Sequence, residues 1–216
     1  LSELAGHITD CNVSMGYPLN RTAVYALFEC IVESQETKRG RLYYTKDYLR
    51  VLSHPLVKNL TILDNASKMR ILLHKVEEVL LGIEETPLGG SLFVALDEIE
   101  QSRQLYDLAL DAMSGLDAVA TREELKDALR EIHQILFRNW ERCQDLAGFS
   151  SALEVFLAML MKASPLEKYP FNLKSIERIY ALQENFERAS FGAEPMPTED
   201  IFKIFMDQLD QEMVPF

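Results

Sequence analysis

A chain of 216 residues, 48% hydrophobic and 26% charged, has an ordinary globular composition and is long enough to bury one sizeable core. Its net charge of −12 excludes a body that grips phosphate backbones over a broad face, because that affinity scales with the phosphates neutralised by Lys and Arg. There is no unbroken apolar run of about 18 residues, no basic leader and no CxxC among three scattered cysteines, which points to a reducing cytoplasm and no membrane.

The chain opens on an apolar, strand-like stretch that passes through Gly16 and Pro18. Thr22–Glu36 then reads as a helix, with Val24, Leu27, Phe28, Ile31 and Val32 on one face. "RLYY" suits a short extended piece, after which Thr45 is expected to cap a helix that Pro55 ends. From Asn65 to about Leu81 the helical period is strong, and Gly82 stands where a stop is expected. "ETPLGGS" is a loop, and Ser91 is expected to cap a helix running to about Met113. Thr121 with Glu124 forms a capping-box pattern that opens the longest helix, carrying Leu125, Leu129, Ile132, Leu136 and Trp140 on one stripe. Further helices are expected from Ser150 or Ser151, from about Leu173 to Arg188, and from a cap at Thr198. The most apolar stretch, Phe149 to Ala163, is amphipathic and short for a membrane span.

Charge is unevenly spread. Between Thr37 and Lys58, six cations face one acid, Asp47; between Glu77 and Glu124, twelve acids face Arg103 and Arg122. The basic window interleaves Lys38, Arg39, Arg41, Lys46 and Arg50 with Tyr43, Tyr44 and Tyr48. Cations for phosphate and aromatic faces for stacking are what a nucleic-acid contact requires. Lys38, Arg39, Arg41, Tyr43, Tyr44, Lys46 and Arg50 are therefore the candidate contact residues. A basic edge that docks on an acidic neighbour is the competing reading.

Catalytic and cofactor patterns are missing from the sequence. "LGGS" has neither the length nor the lysine of a phosphate loop, and the four histidines form no HExxH. His74 and Glu77 read as a surface pair, and the acids of Glu77 to Glu124 as a solvated face. Glu124-Leu125-Lys126 matches a nuclease acid-x-Lys only superficially, since it lies inside a helix.

Two stretches, "NVSMGYPLNRTAVYALFECIVESQ" and "RLYYTKDYLRVLSHPLVK", resemble the helicase-like region of AddB-type proteins of the Bacteroides kind. These are PD-(D/E)xK exonucleases with an inactivated helicase fold, related to the RecBCD and AddAB repair machinery. In that family a strand reading roughly N-[IV]-[ST]-M-G-Y-P-L runs into a helix and then into a large helical insertion. Ala23 departs from the proline common after the threonine, and the closing "VPF" resembles the family's return to the helicase-like domain. The likeness rests on about 45 residues at the front and a few at the back.

The resemblance implies an excised piece: residues 1–21 a strand-like lead-in whose sheet belongs to a neighbouring domain, and 22–216 a single helical domain. The expected fold is all-α, a compact bundle of seven to eight helices with at most one or two short strands near the N-terminus. It also implies a non-catalytic subdomain in double-strand-break repair, with no cofactor of its own. Its expected partners are the rest of the parent chain, a motor helicase/nuclease subunit, and DNA through Lys38 to Arg50. The alternative reading is a stand-alone helical protein–protein interaction module.

Overall fold

The computed structural model describes residues 16–114, 119–168, 170–187 and 192–215. Its fold is all-α, with ten α-helices among the described residues joined by four very short strands. Asn12 to Met15, the first half of the expected opening strand, and Cys11 lie outside the described residues.

β1 (Tyr17–Pro18) pairs antiparallel with β4 (Met213–Val214), Tyr17 opposite Val214 and Pro18 opposite Met213. This part of the opening strand therefore has a partner within the chain. The approach is tight: a Cβ on Gly16 would lie 3.0 Å from both Met213 Cβ and the Val214 carbonyl oxygen. A 3₁₀ turn at Leu19–Arg21 leads to α1 (Ala23–Glu36), whose first free amides are met by Thr22, the hydroxyl accepting from Tyr25 N at 3.3 Å.

β2 (Leu42–Tyr44) runs straight into α2 (Thr45–Ser53), and α3 (Pro55–Lys58) begins on Pro55. Thr45 is the first residue of α2 rather than its cap; its hydroxyl donates to the Ser91 carbonyl at 2.6 Å. α4 (Ala66–Leu80) starts on Asn65, which accepts from Ser67 N and Lys68 N. It ends in a Schellman motif: Gly82 N donates to Val79 O at 3.1 Å and Ile83 N to Glu78 O at 3.0 Å, with Gly82 at φ +74°.

The single helix expected over 91–113 is replaced by β3 (Phe93–Ala95), α5 (Leu96–Gln101) and α6 (Arg103–Ser114). β3 pairs antiparallel with β2, Tyr43 opposite Val94. A strand is the better solution there because β2 otherwise leaves its ladder groups unpaired beside the core. α7 (Arg122–His133) has the expected capping box, Thr121 N donating to Glu124 at 2.7 Å. The stripe to Trp140 does not continue as one α-helix: Gln134–Arg138 form a π-helical turn, closed by Asn139 N to Gln134 O at 2.9 Å, followed by a 3₁₀ turn at Trp140–Arg142.

α8 (Leu146–Ala163) begins at Leu146 rather than Ser150, because Asp145 caps it by accepting from Gly148 N at 2.6 Å. At 18 residues and mean hydropathy 1.5 it is long and apolar enough to cross a membrane by length and composition alone, and half of it is buried here in the protein core. α9 (Pro170–Glu187) includes Pro170 in its first turn, where a missing N–H costs no helical bond. α10 (Thr198–Gln211) starts after Pro197; Thr198 uses its hydroxyl on the Cys143 carbonyl at 2.6 Å instead of capping.

Two aromatic centres hold these elements. Phe28 of α1 sits among Phe205 at 5.1 Å, Trp140 at 5.4 Å and Phe149 at 6.2 Å, ring centre to ring centre. Phe156 and Phe202 complete that cluster, which joins α1, α8 and α10. The second centre lies under the β2–β3 ribbon, where Phe137 is 5.1 Å from both Tyr43 and Tyr48. Edge-on and tilted ring pairs of this kind add roughly 0.5–1.5 kcal/mol each beyond their burial.

Candidate functional site

The ribbon of β2 and β3 places the basic window, and strand alternation decides which of its residues face solvent. Leu42 and Tyr44 point outward, with Leu42 40% exposed, while Tyr43 between them is fully buried. The Tyr43 hydroxyl donates to Glu141 at 2.6 Å and accepts from Gln35 at 3.2 Å. Burial, with Glu141 beside it, pushes that phenol far above its usual range. Tyr48 is equally buried, so neither ring offers a face on which a base could stack. Tyr44 is half-buried and leans on Phe93 with ring centres 5.6 Å apart.

The cations divide in two. Lys38 pairs with Glu141 at 3.1 Å and lies over the Tyr43 ring, Arg50 pairs with Glu33, and Lys58 pairs with Glu77 at 3.5 Å. Arg39, Arg41 and Lys46 are exposed and carry no ion pair among the described residues, although the Arg39 guanidinium stacks 4.5 Å from the Phe93 ring centre. Arg39 and Leu42 exchange backbone bonds at 2.8 and 3.0 Å across Gly40, fixing a tight turn that carries Arg39 and Arg41, while Lys46 lies in the first turn of α2. Asp47, the window's one acid, is buried and accepts from the Thr37 hydroxyl at 2.7 Å.

Two cavities flank the ribbon. One, about 450 Å³, is an apolar groove walled by Tyr44, Leu49, Leu80, Leu81 and Leu92, with Lys46 at its edge. Leu81 and Leu92 are 57% and 64% exposed and neighbouring Ile83 66%, an unusual concentration of bare aliphatic surface. The other, about 280 Å³, is lined by Arg41, Asp97, Arg138, Glu141 and Arg142 together with the Tyr43–Ala95–Leu96 wall. Arg138 and Arg142 come from the π turn and the 3₁₀ turn that follow α7, nearly a hundred residues from Arg41. Nothing in the sequence connects them, because the ribbon that brings them together depends on the unexpected β3.

Beneath the ribbon runs a buried polar chain. The Tyr48 hydroxyl lies 2.8 Å from His133 Nε2, and His133 Nδ1 lies 2.7 Å from Glu100 Oε1. Arg138 donates to the same Glu100 oxygen at 2.7 Å and to Asp97 at 2.6 Å. Burial alone would raise the Glu100 carboxyl, but its bonds to His133 and Arg138 hold it down at about 2. Burial lowers the His133 imidazole despite the neighbouring carboxylate, so the ring is neutral, donating from Nδ1 to Glu100 and accepting at Nε2 from Tyr48. An acid, a histidine and a hydroxyl in series have the order of a proton relay. Here Tyr48 and His133 are fully enclosed and line neither flanking cavity, so the chain acts as a buried strut tying α2, α5 and α7 together.

The remaining sequence candidates occupy ordinary structural positions. His74 lies on the surface 3.8 Å from Glu77, as expected, and 3.2 Å from Glu78, and no cluster of His, Cys, Asp and Glu suited to a metal ion occurs among the described residues. Cys143 is buried, which pushes its thiol up to about 11, and Cys30 is half-buried. No protein-family model, curated protein or solved structure matches this chain.

Proposed function

We propose that this chain is the inserted helical subdomain of an AddB-type repair protein. It has no catalytic centre or cofactor of its own and works in the cytoplasm beside a motor subunit, where it guides DNA or packs on that partner. The observation that carries the reading is the β1–β4 pair: the chain enters and leaves the helical body through adjacent antiparallel strands. A host fold tolerates a large insertion when its two ends lie side by side, and the two stretches that pair are the ones whose sequence resembles the family's exit and return. Arg39, Arg41 and Lys46 are the window's cations free to meet a phosphate, so DNA contact is local rather than a groove-wide grip.

The apolar groove beside the ribbon favours a second reading, a helical interaction module that receives a protein partner at Leu81, Ile83 and Leu92. Reading the coding frame on both sides of the segment separates the two. Helicase-like strands before it and a Pro-Asp with acid-x-Lys nuclease core after it are expected. Replacing residues 19–212 of that parent by a short Gly/Ser turn should then leave the nuclease folded and active on free ends. A frame that closes immediately on both sides, or a parent that unfolds on excision, overturns the insertion.

A further inference from the structure

We propose that the cavity of about 280 Å³ lined by Arg41, Arg138 and Arg142 binds a phosphate group, either a phosphodiester of nucleic acid or a free phosphate ester. Three stretches converge there: the turn before β2 supplies Arg41, the π turn Arg138 and the 3₁₀ turn Arg142. Arg138 forms a fixed wall, because Glu100 at 2.7 Å and Asp97 at 2.6 Å hold its two terminal nitrogens. A guanidinium has five N–H donors, so donors remain after those two bonds.

The acids at the cavity are engaged: Asp97, Glu100 and Glu141 stand against Arg138, Lys38 and Arg130, whose Nε lies 3.8 Å from Glu100. Asp97 serves Arg138, while Glu141 accepts from the Tyr43 hydroxyl at 2.6 Å and pairs with Lys38 at 3.1 Å. Arg41 and Arg142, by contrast, are exposed and carry no carboxylate partner among the described residues. Two guanidinium forks without a carboxylate partner beside a third, immobilised one suit a tetrahedral phosphoryl group, whose oxygens point at several donors at once, better than a planar carboxylate. Tyr43 shows no free ring face and Ala95 and Leu96 give only a short aliphatic wall, so the cavity provides no stacking platform and reads phosphate, not base. The contrast elsewhere is sharp: the cavity lined by Asp64, Lys68, Glu124, Asp127 and Glu131 repels anions.

The source of the phosphate rests on the proposed function, whereas the site itself does not. The test uses the whole chain and three probes: a short fluorescein-labelled oligonucleotide, single-stranded and duplex, followed by anisotropy at low salt, and inorganic phosphate and ATP followed by calorimetry. Arg41→Ala with Arg142→Ala should weaken binding about tenfold or more and reduce the salt slope by about one for each phosphate held. Lys203→Ala, an exposed cation on α10, should change nothing. Arginine-dependent oligonucleotide binding that inorganic phosphate does not displace identifies the backbone as ligand. Arginine-dependent binding of phosphate or ATP, with no affinity for the oligonucleotide, identifies a free ester. Absence of binding by all probes, or binding unaltered in a double variant whose urea midpoint is unchanged, overturns the site. Neither failure touches the insertion, which is read from the coding frame and the excised parent.

Discussion

His133 faces Glu100 across 2.7 Å in a setting where both side chains are almost wholly withdrawn from water, and the carboxylate is the charged member. The pair therefore sets the acid limit of the fold. Glu100 titrates at about 2 in the folded chain against an ordinary 4.5, so its contribution is full above 4.5 and is lost as pH falls toward 2. His133 is lowered from 6.5, so the unfolded chain takes up that proton first and stability begins to fall below pH 6.5. Both act in one direction. Urea unfolding followed by circular dichroism should give a plateau above about pH 7 and a steady loss below it. Glu100→Gln should cost about 2 kcal/mol at neutral pH and flatten the lower part of the acid limb. Stability that rises on acidification would refute the assignment of charge.

Tyr48→Phe removes the hydroxyl that donates to His133 Nε2 and leaves that nitrogen buried without a donor. The expected cost is about 1–2 kcal/mol in the urea midpoint, since an unsatisfied buried acceptor loses its full desolvation. Tyr44→Phe, on the outward face of β2, should stay within about 0.5 kcal/mol of the parent. Equal effects from the two would mean that the bond to His133 contributes nothing net.

Phe28→Ala should be the most damaging single truncation in the aromatic core. Its ring meets those of Trp140, Phe149, Phe156, Phe202 and Phe205, which arrive from three other parts of the chain. Loss of about 3–5 kcal/mol is expected, with Phe28→Leu recovering a large share. Thermal unfolding of the three proteins side by side measures the order, and a Phe28→Ala protein as stable as Phe28→Leu would sink the idea that this ring is central.

Helix stretches and some of their ends were legible in the sequence, whereas caps whose hydroxyls serve a distant carbonyl, as at Thr45 and Thr198, and pairings across the chain were not. Gly82 and the Thr121–Glu124 box are read from neighbours within four residues and stand as expected, and the helices read from Thr22 and Asn65 begin one residue later, with those two residues as caps. β3 was hidden because three apolar residues after a loop fit the start of a helix as well as a strand, and its reason for being extended lies in β2, some fifty residues earlier. The same crossover buried Tyr43, which composition offered as a stacking residue. Arg138 and Arg142 lie on π and 3₁₀ turns where the sequence reads as one continuous helix, and they meet Arg41 only through the β2–β3 ribbon. Glu100 lay hidden among twelve acids that looked like one solvated face, yet it is 7% exposed.

Gly82 and Gly40 provide a graded test of how backbone conformation and crowding add. Both have positive φ, +74° and +60°, in the region where any other L-residue pays roughly 1 kcal/mol. Around Gly40 an added Cβ would meet nothing within 4 Å, so Gly40→Ala should cost about 1 kcal/mol, and Gly40→Asn less because asparagine tolerates that region. At Gly82 the same Cβ would lie 3.3 Å from Gly90 N and 3.7 Å from the Gly89 carbonyl carbon. Those atoms belong to the loop that folds back on the end of α4, with Gly90 N bonded to Leu80 O at 3.0 Å, and they yield only if that bond lengthens. Gly82→Ala should therefore cost more, about 2 kcal/mol, and faster amide exchange at Gly90 should accompany it. Equal midpoints for the two alanine variants, with unchanged exchange at Gly90, would show that the loop gives way freely and that conformation alone decides the cost.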